Sequence, residues 1–303
     1  MKFSVFTAST PEWTPEEAAQ TLAAQGWDGI EWRVTDQADS AEPGFWAGNR
    51  ATWPMAGLED SLPEIARITG QASLEFSGLG GYARCDNHGD VERILAATAA
   101  LGARQVRVNV LPLGTSTMGG QDPSGIPYPQ LFDSTREHYE WIAERAAHHG
   151  VKALVELHHG TITSSASAAR RLLDGLDPWH VGVIHDLGNL IIEGWEDPLP
   201  ALQLLGPYLA HVHVKNARWV RQDTKDESGA AVWAHEWAPL AEGQGSVLAY
   251  FRALAAAGYD DWVTVEDFST ELPLAERTAG NLDYLRRTAA LAGLVVHNPA
   301  TAS

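Results

Sequence analysis

The chain has 303 residues, 45% of them hydrophobic and 20% charged, which supplies a full core and excludes a disordered polymer. Its 39 Asp and Glu residues against 21 Lys and Arg give a formal charge of -18. Without a basic stripe that balance argues against a nucleic-acid partner. A lone cysteine, Cys85, rules out an internal disulfide and suits a reducing compartment. No stretch is long and apolar enough to span a membrane, and residues 1–11 carry no leader pattern, so a soluble cytoplasmic protein is expected.

Short apolar runs alternate with alanine-rich amphipathic segments along the whole chain. The first strand is expected at 3–7. Thr14-Pro15-Glu16-Glu17 then opens a helix, with Thr14 as cap, Pro15 in the first turn and two acids at the positive end; Gly26 closes it. Strand two is expected at 29–33, then a long loop through Trp46 and Trp53 and a helix at 58–69. Strand three (72–77) leads to a helix at 90–101, and strand four (104–110) to a glycine-rich loop (114–129) and a helix at 131–149.

The second half has four strands of one design, each aliphatic with a metal-ligating side chain at its inward end. Strand five ends at Glu156, with a helix at 164–173. Strand six ends at Asp186, with a helix at 197–205. Strand seven is Leu209-Ala210-His211-Val212-His213-Val214-Lys215-Asn216, in which alternation puts His211, His213 and Lys215 on one face. A long polar loop through Trp219, Trp233 and Trp237 is expected next, then a helix at 246–257. Strand eight ends at Glu266, a helix follows at 274–291, and residues 292–303 read as a tail.

Eight strand and helix repeats without a domain-sized linker predict a single (β/α)₈ TIM barrel over 1–303. The doubly wound alternative would need a glycine fingerprint after strand one, and Ala8-Ser9-Thr10-Pro11-Glu12 is none. In a barrel the C-terminal strand ends share one rim, so Glu156, Asp186, His213 and Glu266 converge there. Three carboxylates and an imidazole suit Mn²⁺, with Mg²⁺, Co²⁺ or Zn²⁺ as alternatives.

Four stretches carry a resemblance to a known family. Trp27-Asp28-Gly29-Ile30-Glu31-Trp32-Arg33, His180-Val181-Gly182-Val183 running to Asp186, the strand-seven stretch, and Val263-Thr264-Val265-Glu266 are similar to the xylose isomerase-like TIM barrels, the sugar phosphate isomerase/epimerase group. The resemblance implies one Mn²⁺-type ion on Glu156, Asp186, His213 and Glu266, and chemistry at a carbon next to a sugar carbonyl. Its ketose epimerases carry a histidine three residues after the metal aspartate and an arginine six after the metal histidine. Here those positions hold Asn189 and Trp219, with Arg218 one place early. The same missing histidine and the acidic charge count against the family's endonucleases.

Glu156-Leu157-His158 places an imidazole one step beyond a metal ligand, where a base of near-neutral pKa removes a carbon-bound proton. This resembles the C-glycoside deglycosidase catalytic subunits, which implies a lyase acting on a 3-keto glycoside, with a small second subunit as partner. Catalytic roles are therefore expected for His158, Glu156 and Glu266. Isomerase or epimerase chemistry is the first alternative, and a non-catalytic metal-stabilised scaffold the second.

On the substrate side, Glu31 and Arg33 share an inward face, as do Gln105, Arg107 and Asn109. Glu31 with Arg107 reads as a buried ion pair. Glu31, Asn109, Lys215 and Arg218 are expected to meet the substrate, and Trp13, Trp46, Trp53, Trp219, Trp233 and Trp237 to wall the pocket or form a subunit contact in an oligomer.

Overall fold

The computed structural model describes residues 1–113 and 125–296. Most of the glycine-rich loop expected at 114–129, and the end of the tail, lie outside the described residues. Strand β1 (Lys2–Phe6) leads into helix α1 (Pro15–Gln25). The sequence dictates this helix's start: Thr14 Oγ1 accepts from the Glu17 backbone at 3.2 Å while the Glu17 carboxylate accepts from Thr14 N at 2.8 Å. Gly26, at φ 88°, adopts the left-handed turn that ends it.

The chain continues through β2 (Gly29–Val34), the two-residue β3 (Thr52–Trp53), α2 (Leu58–Gln71), β4 (Glu75–Gly81), α3 (His88–Ala100), β5 (Gln105–Arg107) and α4 (Tyr128–His149). Then come β6 (Lys152–Glu156), α5 (Ala166–Leu173), β7 (Val181–Asp186), α6 (Leu187–Ile192), α7 (Pro198–Leu205) and β8 (Leu209–Val214). The last elements are β9 (Asn216–Lys225), β10 (Ala231–Ala238), α8 (Val247–Ala256), β11 (Trp262–Val265) and α9 (Leu274–Ala292).

Among the described residues β1, β2, β4, β5, β6, β7, β8 and β11 pair in parallel, and β1 closes the ring by pairing with both β11 and β2. This is the expected (β/α)₈ barrel. Aliphatic side chains from the outer strand faces, such as Val5, Val155, Val183, Val212 and Val263, are buried with helix residues such as Leu22, Ile94, Ile142 and Leu254 in one continuous core. Inside the barrel, Leu154, Ile184 and Ala210 form a separate apolar cluster, and the polar groups lie toward the C-terminal rim.

Several elements differ from the sequence reading: it held neither β3 nor α6, its strand four is shortened to Gln105–Arg107, and two further differences follow. Strand three begins at Glu75 rather than near residue 72, because Ala72 and Leu74 still donate to Ile68 and Thr69 carbonyls and so finish α2. The strand then runs through Gly78, Gly80 and Gly81, which reads poorly as strand on propensity. Gly80 is required by packing: a Cβ there would lie 1.9 Å from the Phe6 ring.

The polar loop expected after strand seven is an antiparallel hairpin of β9 and β10, with Trp237 opposite Ala217 and His235 opposite Trp219. Its turn is built by Asp226, whose Oδ1 accepts from Ser228 N and Ala230 N, with Gly229 at φ 85°. Asn216 anchors the hairpin to the barrel. It donates to the Leu240 and Gly245 carbonyls and accepts from Ala217 N and Gly245 N.

Candidate metal centre

The four expected ligands meet. Glu156 ends β6, Asp186 ends β7, His213 lies in β8 and Glu266 follows β11, and all four are buried. One donor atom from each lies within 4.8 Å of the others. His213 Nδ1 is 3.5 Å from Glu156 Oε1, 3.8 Å from Asp186 Oδ2 and 3.9 Å from Glu266 Oε2. Ligand bonds of about 2.1 Å put neighbouring donors roughly 3–4 Å apart, so these separations match a single divalent cation.

Two buried atoms bear on the fit. His213 Nδ1 and Asp186 Oδ2 have no hydrogen-bond partner, and both face the centre of the cluster. The positive charge there comes from Lys215, whose Nζ is in close contact with Glu266 Oε2 and lies 3.0 Å from Asp186 Oδ2 and 3.9 Å from Glu156 Oε1. Three carboxylates gathered around one ammonium make a site that demands a cation, and the residues present fit a divalent metal.

Electrostatics follow from burial opposed by neighbours. Burial raises the Asp186 carboxyl and the Glu156 and Glu266 charges add to it; despite Lys215 it is pushed up to about 7. Glu156 goes the other way: burial would raise it, but the Arg107 guanidinium, the nearby His213 imidazole and Lys215 hold it well below the usual carboxylate range. Burial would lower His213, and the carboxylates of Glu31, Glu156 and Glu266 outweigh it to raise this imidazole well above its ordinary value.

The supporting polar groups differ from the expected pairing. Arg107 Nη1 donates to Glu156 Oε2 at 2.6 Å, not to Glu31. The reason is strand order: β5 adjoins β6, whereas β4 separates β5 from β2. Glu31 Oε2 instead accepts from His211 Nε2 at 2.9 Å and His213 Nε2 at 3.1 Å. The His211 tautomer follows from its other side, where Gln105 Nε2 donates to Nδ1 at 3.0 Å, so Nε2 carries the proton. Glu31 therefore sits behind the ligand set and turns His213 Nδ1 toward the carboxylates, an arrangement typical of metal-bound histidines.

The other expected substrate residues are dispersed. Lys215 is in the cluster itself. Asn109 is buried with Nδ2 unpaired, but it is not among the cavity-lining residues. Arg218 is exposed on β9, paired with Glu236 at 2.6 Å, and also does not line the cavity. Trp13 and Trp53 pack on the core, the latter edge-on to Trp32, instead of walling the pocket. Trp219 donates to the Ile191 carbonyl, and Trp233 is exposed on the hairpin.

A cavity of about 570 Å³ opens above the cluster. Trp46, Trp237 and Phe268 form one wall, with Phe268 4.8 and 5.5 Å from the two indoles. Arg33, Tyr82 and Arg107 form another. His158 lines the cavity floor, and its Nδ1 donates to the His159 carbonyl at 2.7 Å, which leaves Nε2 as the lone-pair nitrogen. Burial, with added repulsion from His159 and Lys215, overrides the pull of Glu156 and pushes this imidazole down to about 3, not the near-neutral value expected.

Sequence reading missed Tyr82, His235, Phe268 and the role of Asn189. Phe268 could have been found, since it shares the alternating face of Glu266. So could His235, which shares the face of Trp233 and Trp237. Asn189, where epimerases of the family carry histidine, donates to the Leu157 carbonyl at 3.0 Å and to Glu156 Oε1 at 3.3 Å, while its Oδ1 accepts from His159 Nδ1.

Known proteins agree with this architecture. The chain is 31% identical over 129 residues to an inosose dehydratase of Geobacillus thermodenitrificans, a match covering 41% of this chain and 43% of that protein, less than half the relative's length. The 3-keto-D-glucoside 4-epimerase of E. coli superposes with a TM-score of 0.69 at 18% identity, covering 95% of this chain and 99% of the other. A xylose isomerase-like TIM barrel protein from Mycobacterium smegmatis in complex with magnesium superposes with a TM-score of 0.68 at 19% identity, covering 96% and 97%. The family model for xylose isomerase-like TIM barrels matches residues 19–288, which hold every barrel strand but β1 and all four clustered ligands, so the chain belongs to that family.

Proposed function

We propose that this chain is a divalent-metal enzyme that removes the proton next to a sugar carbonyl, and that the resulting enolate loses a β-substituent, releasing the aglycone of a 3-keto glycoside, including a C-glycoside. The observation that carries the reading is the neutral His158 Nε2 at the floor of a sugar-sized cavity beside the buried cluster of Glu156, Asp186, His213 and Glu266. The relatives' activities as named, an inosose dehydratase and a 3-keto-D-glucoside 4-epimerase, support reading a first step beside a carbonyl.

These four side chains would hold the ion, for which Mn²⁺ is the first choice and Mg²⁺, Co²⁺ or Zn²⁺ the alternatives. When bound, it supplies Lewis-acid stabilisation of negative charge on the substrate oxygen. The chain's own residues do the rest. His158 Nε2 takes the proton from the carbon α to the carbonyl, and the C–H electron pair moves onto the carbonyl oxygen. The pair then returns to form a C=C bond as the bond to the β-substituent breaks, and the leaving group receives the proton from the His158 imidazolium. A base held this low is a weak acceptor toward a neutral ligand, and negative charge developing beside it raises its basicity as the proton moves. Trp46, Trp237 and Phe268 offer an apolar wall for the aglycone, and Lys215 offers positive charge to the oxygen.

Incubation of 3-keto glycosides in D₂O with the metal-loaded chain tests this. Deuterium at the carbon beside the carbonyl together with free aglycone is expected. Exchange with only isomeric sugars would make the enzyme an epimerase or isomerase. Absence of exchange from the whole set would leave a metal-stabilised scaffold.

A further inference from the structure

Among the described residues Arg33 is a cation without a counter-ion. It lies near the end of β2, is 3% exposed, and lines the cavity. Its Nη1 donates only to neutral groups, Gln37 Oε1 at 3.1 Å and Thr52 Oγ1 at 3.0 Å, and its Nε is buried with no partner. Among the described residues no carboxylate stands within ion-pair distance of it. Glu31, two residues back on the same face, is bonded to His211 and His213, and the cavity-lining Asp36 accepts from the Ala56 backbone instead.

The neighbouring guanidinium shows the contrast. Both guanidinium groups lie over the Tyr82 ring, Arg33 at 5.0 Å and Arg107 at 4.2 Å from its centroid. Arg107 has its carboxylate, Glu156, whereas Arg33 has none among the described residues. In a chain with 39 acidic side chains, an unpaired buried arginine is not explained by a shortage of partners. A buried charge left without a counter-ion costs stability, and a guanidinium offers a planar fork suited to two anionic oxygens.

We infer that Arg33 is an anion subsite of the cavity, and that the substrate carries a carboxylate or phosphate group remote from its reacting carbonyl. The ligand then spans the cavity, with its reacting end at the cluster and His158 and its anionic end on Arg33, Gln37 and the edge of Tyr82. The inference rests on the proposed function only in taking this cavity as the substrate site. Arg33 contributes binding and orientation and takes no part in the proton transfer.

Calorimetric titration of the metal-loaded chain with D-glucuronate, D-glucose 6-phosphate and D-glucose reads this directly. At least one anionic probe is expected to bind about tenfold or more tighter than D-glucose, as a charge-assisted fork allows, and the better of the two identifies the carboxylate or the phosphate. Arg33→Gln is expected to abolish that preference without lowering the melting temperature. Arg33→Lys, which keeps the charge and loses the fork, should retain only part of it and serves if the glutamine variant does not fold. Equal affinity for charged and neutral probes, no binding of either anionic probe, or a preference unchanged in the variants would overturn the inference. The D₂O exchange assay is independent: anion preference without exchange refutes the proposed chemistry alone, and exchange of neutral keto sugars without anion preference refutes this subsite alone.

Discussion

Lys215 decides how the cluster behaves at the scale of single residues. Its ammonium offsets part of the charge of three buried carboxylates, so a divalent ion and this side chain compete for the same oxygens. Lys215→Met is expected to destabilise the metal-free protein by about 3–5 kcal/mol, the usual cost of unpairing buried charges. Added Mn²⁺ should raise the melting temperature of the variant more than that of wild type, and an equal shift in both would remove Lys215 from the ion's surroundings. Glu31 acts one step behind. Glu31→Gln leaves the volume unchanged but weakens the bond that aims His213, and a loss of about 10–100-fold in metal affinity is expected from titration, with folding retained.

A pH prediction belongs to His185. It is fully buried, bonded at Nδ1 to the Tyr250 hydroxyl at 2.8 Å, and its Nε2 has no partner. Burial pushes it down to about 3 from an ordinary value of 6.5. Below pH 6.5 the unfolded chain binds a proton here that the native chain refuses, so stability falls as pH drops from 6.5 toward 3. The cost is about 1.4 kcal/mol per pH unit, or about 2 kcal/mol at pH 5. Melting curves of wild type and His185→Gln should diverge by that amount between pH 7 and 5, and parallel slopes would contradict it.

At the scale of elements, the hairpin of β9 and β10 supplies His235 and Trp237 to the cavity and hangs on Asn216. Asn216→Ala leaves several buried main-chain groups unpaired, so a loss of about 2–4 kcal/mol is expected in denaturant titration, together with weaker ligand binding. A variant as stable as wild type would show that the hairpin is held elsewhere. This hairpin is readable in the sequence only in part. The alternation of Trp233, His235 and Trp237 is present, but Arg221, Asp223, Lys225, Asp226 and Glu227 give the segment the composition of a loop. The ends of β6, β7 and β8 are legible because a period of two that closes on an inward acid or histidine marks a buried strand with a polar tip. The pairing of Glu31 is not, since it depends on which strands are neighbours across the barrel, and no local spacing encodes that. The same limit hides Asn189, whose role appears only when α6 is laid against β6.

At the scale of the molecule, the charge of -18 and the cavity's cations work together. Arg33, Arg107 and Lys215 bring positive charge to the cavity beside the buried, gathered acids. The barrel closes as the repeats foretold, and closure is what converts four ligands spread over more than a hundred residues into one cluster. The proposed metal enzyme needs all four of these side chains to hold one ion. The most direct measurement is therefore elemental analysis of the chain after Mn²⁺ loading and desalting, with Glu266→Gln beside it. About one ion per chain is expected in wild type, and its loss in the variant. No retained metal in wild type, or an equal ion content in the variant, would contradict a metal centre on Glu156, Asp186, His213 and Glu266.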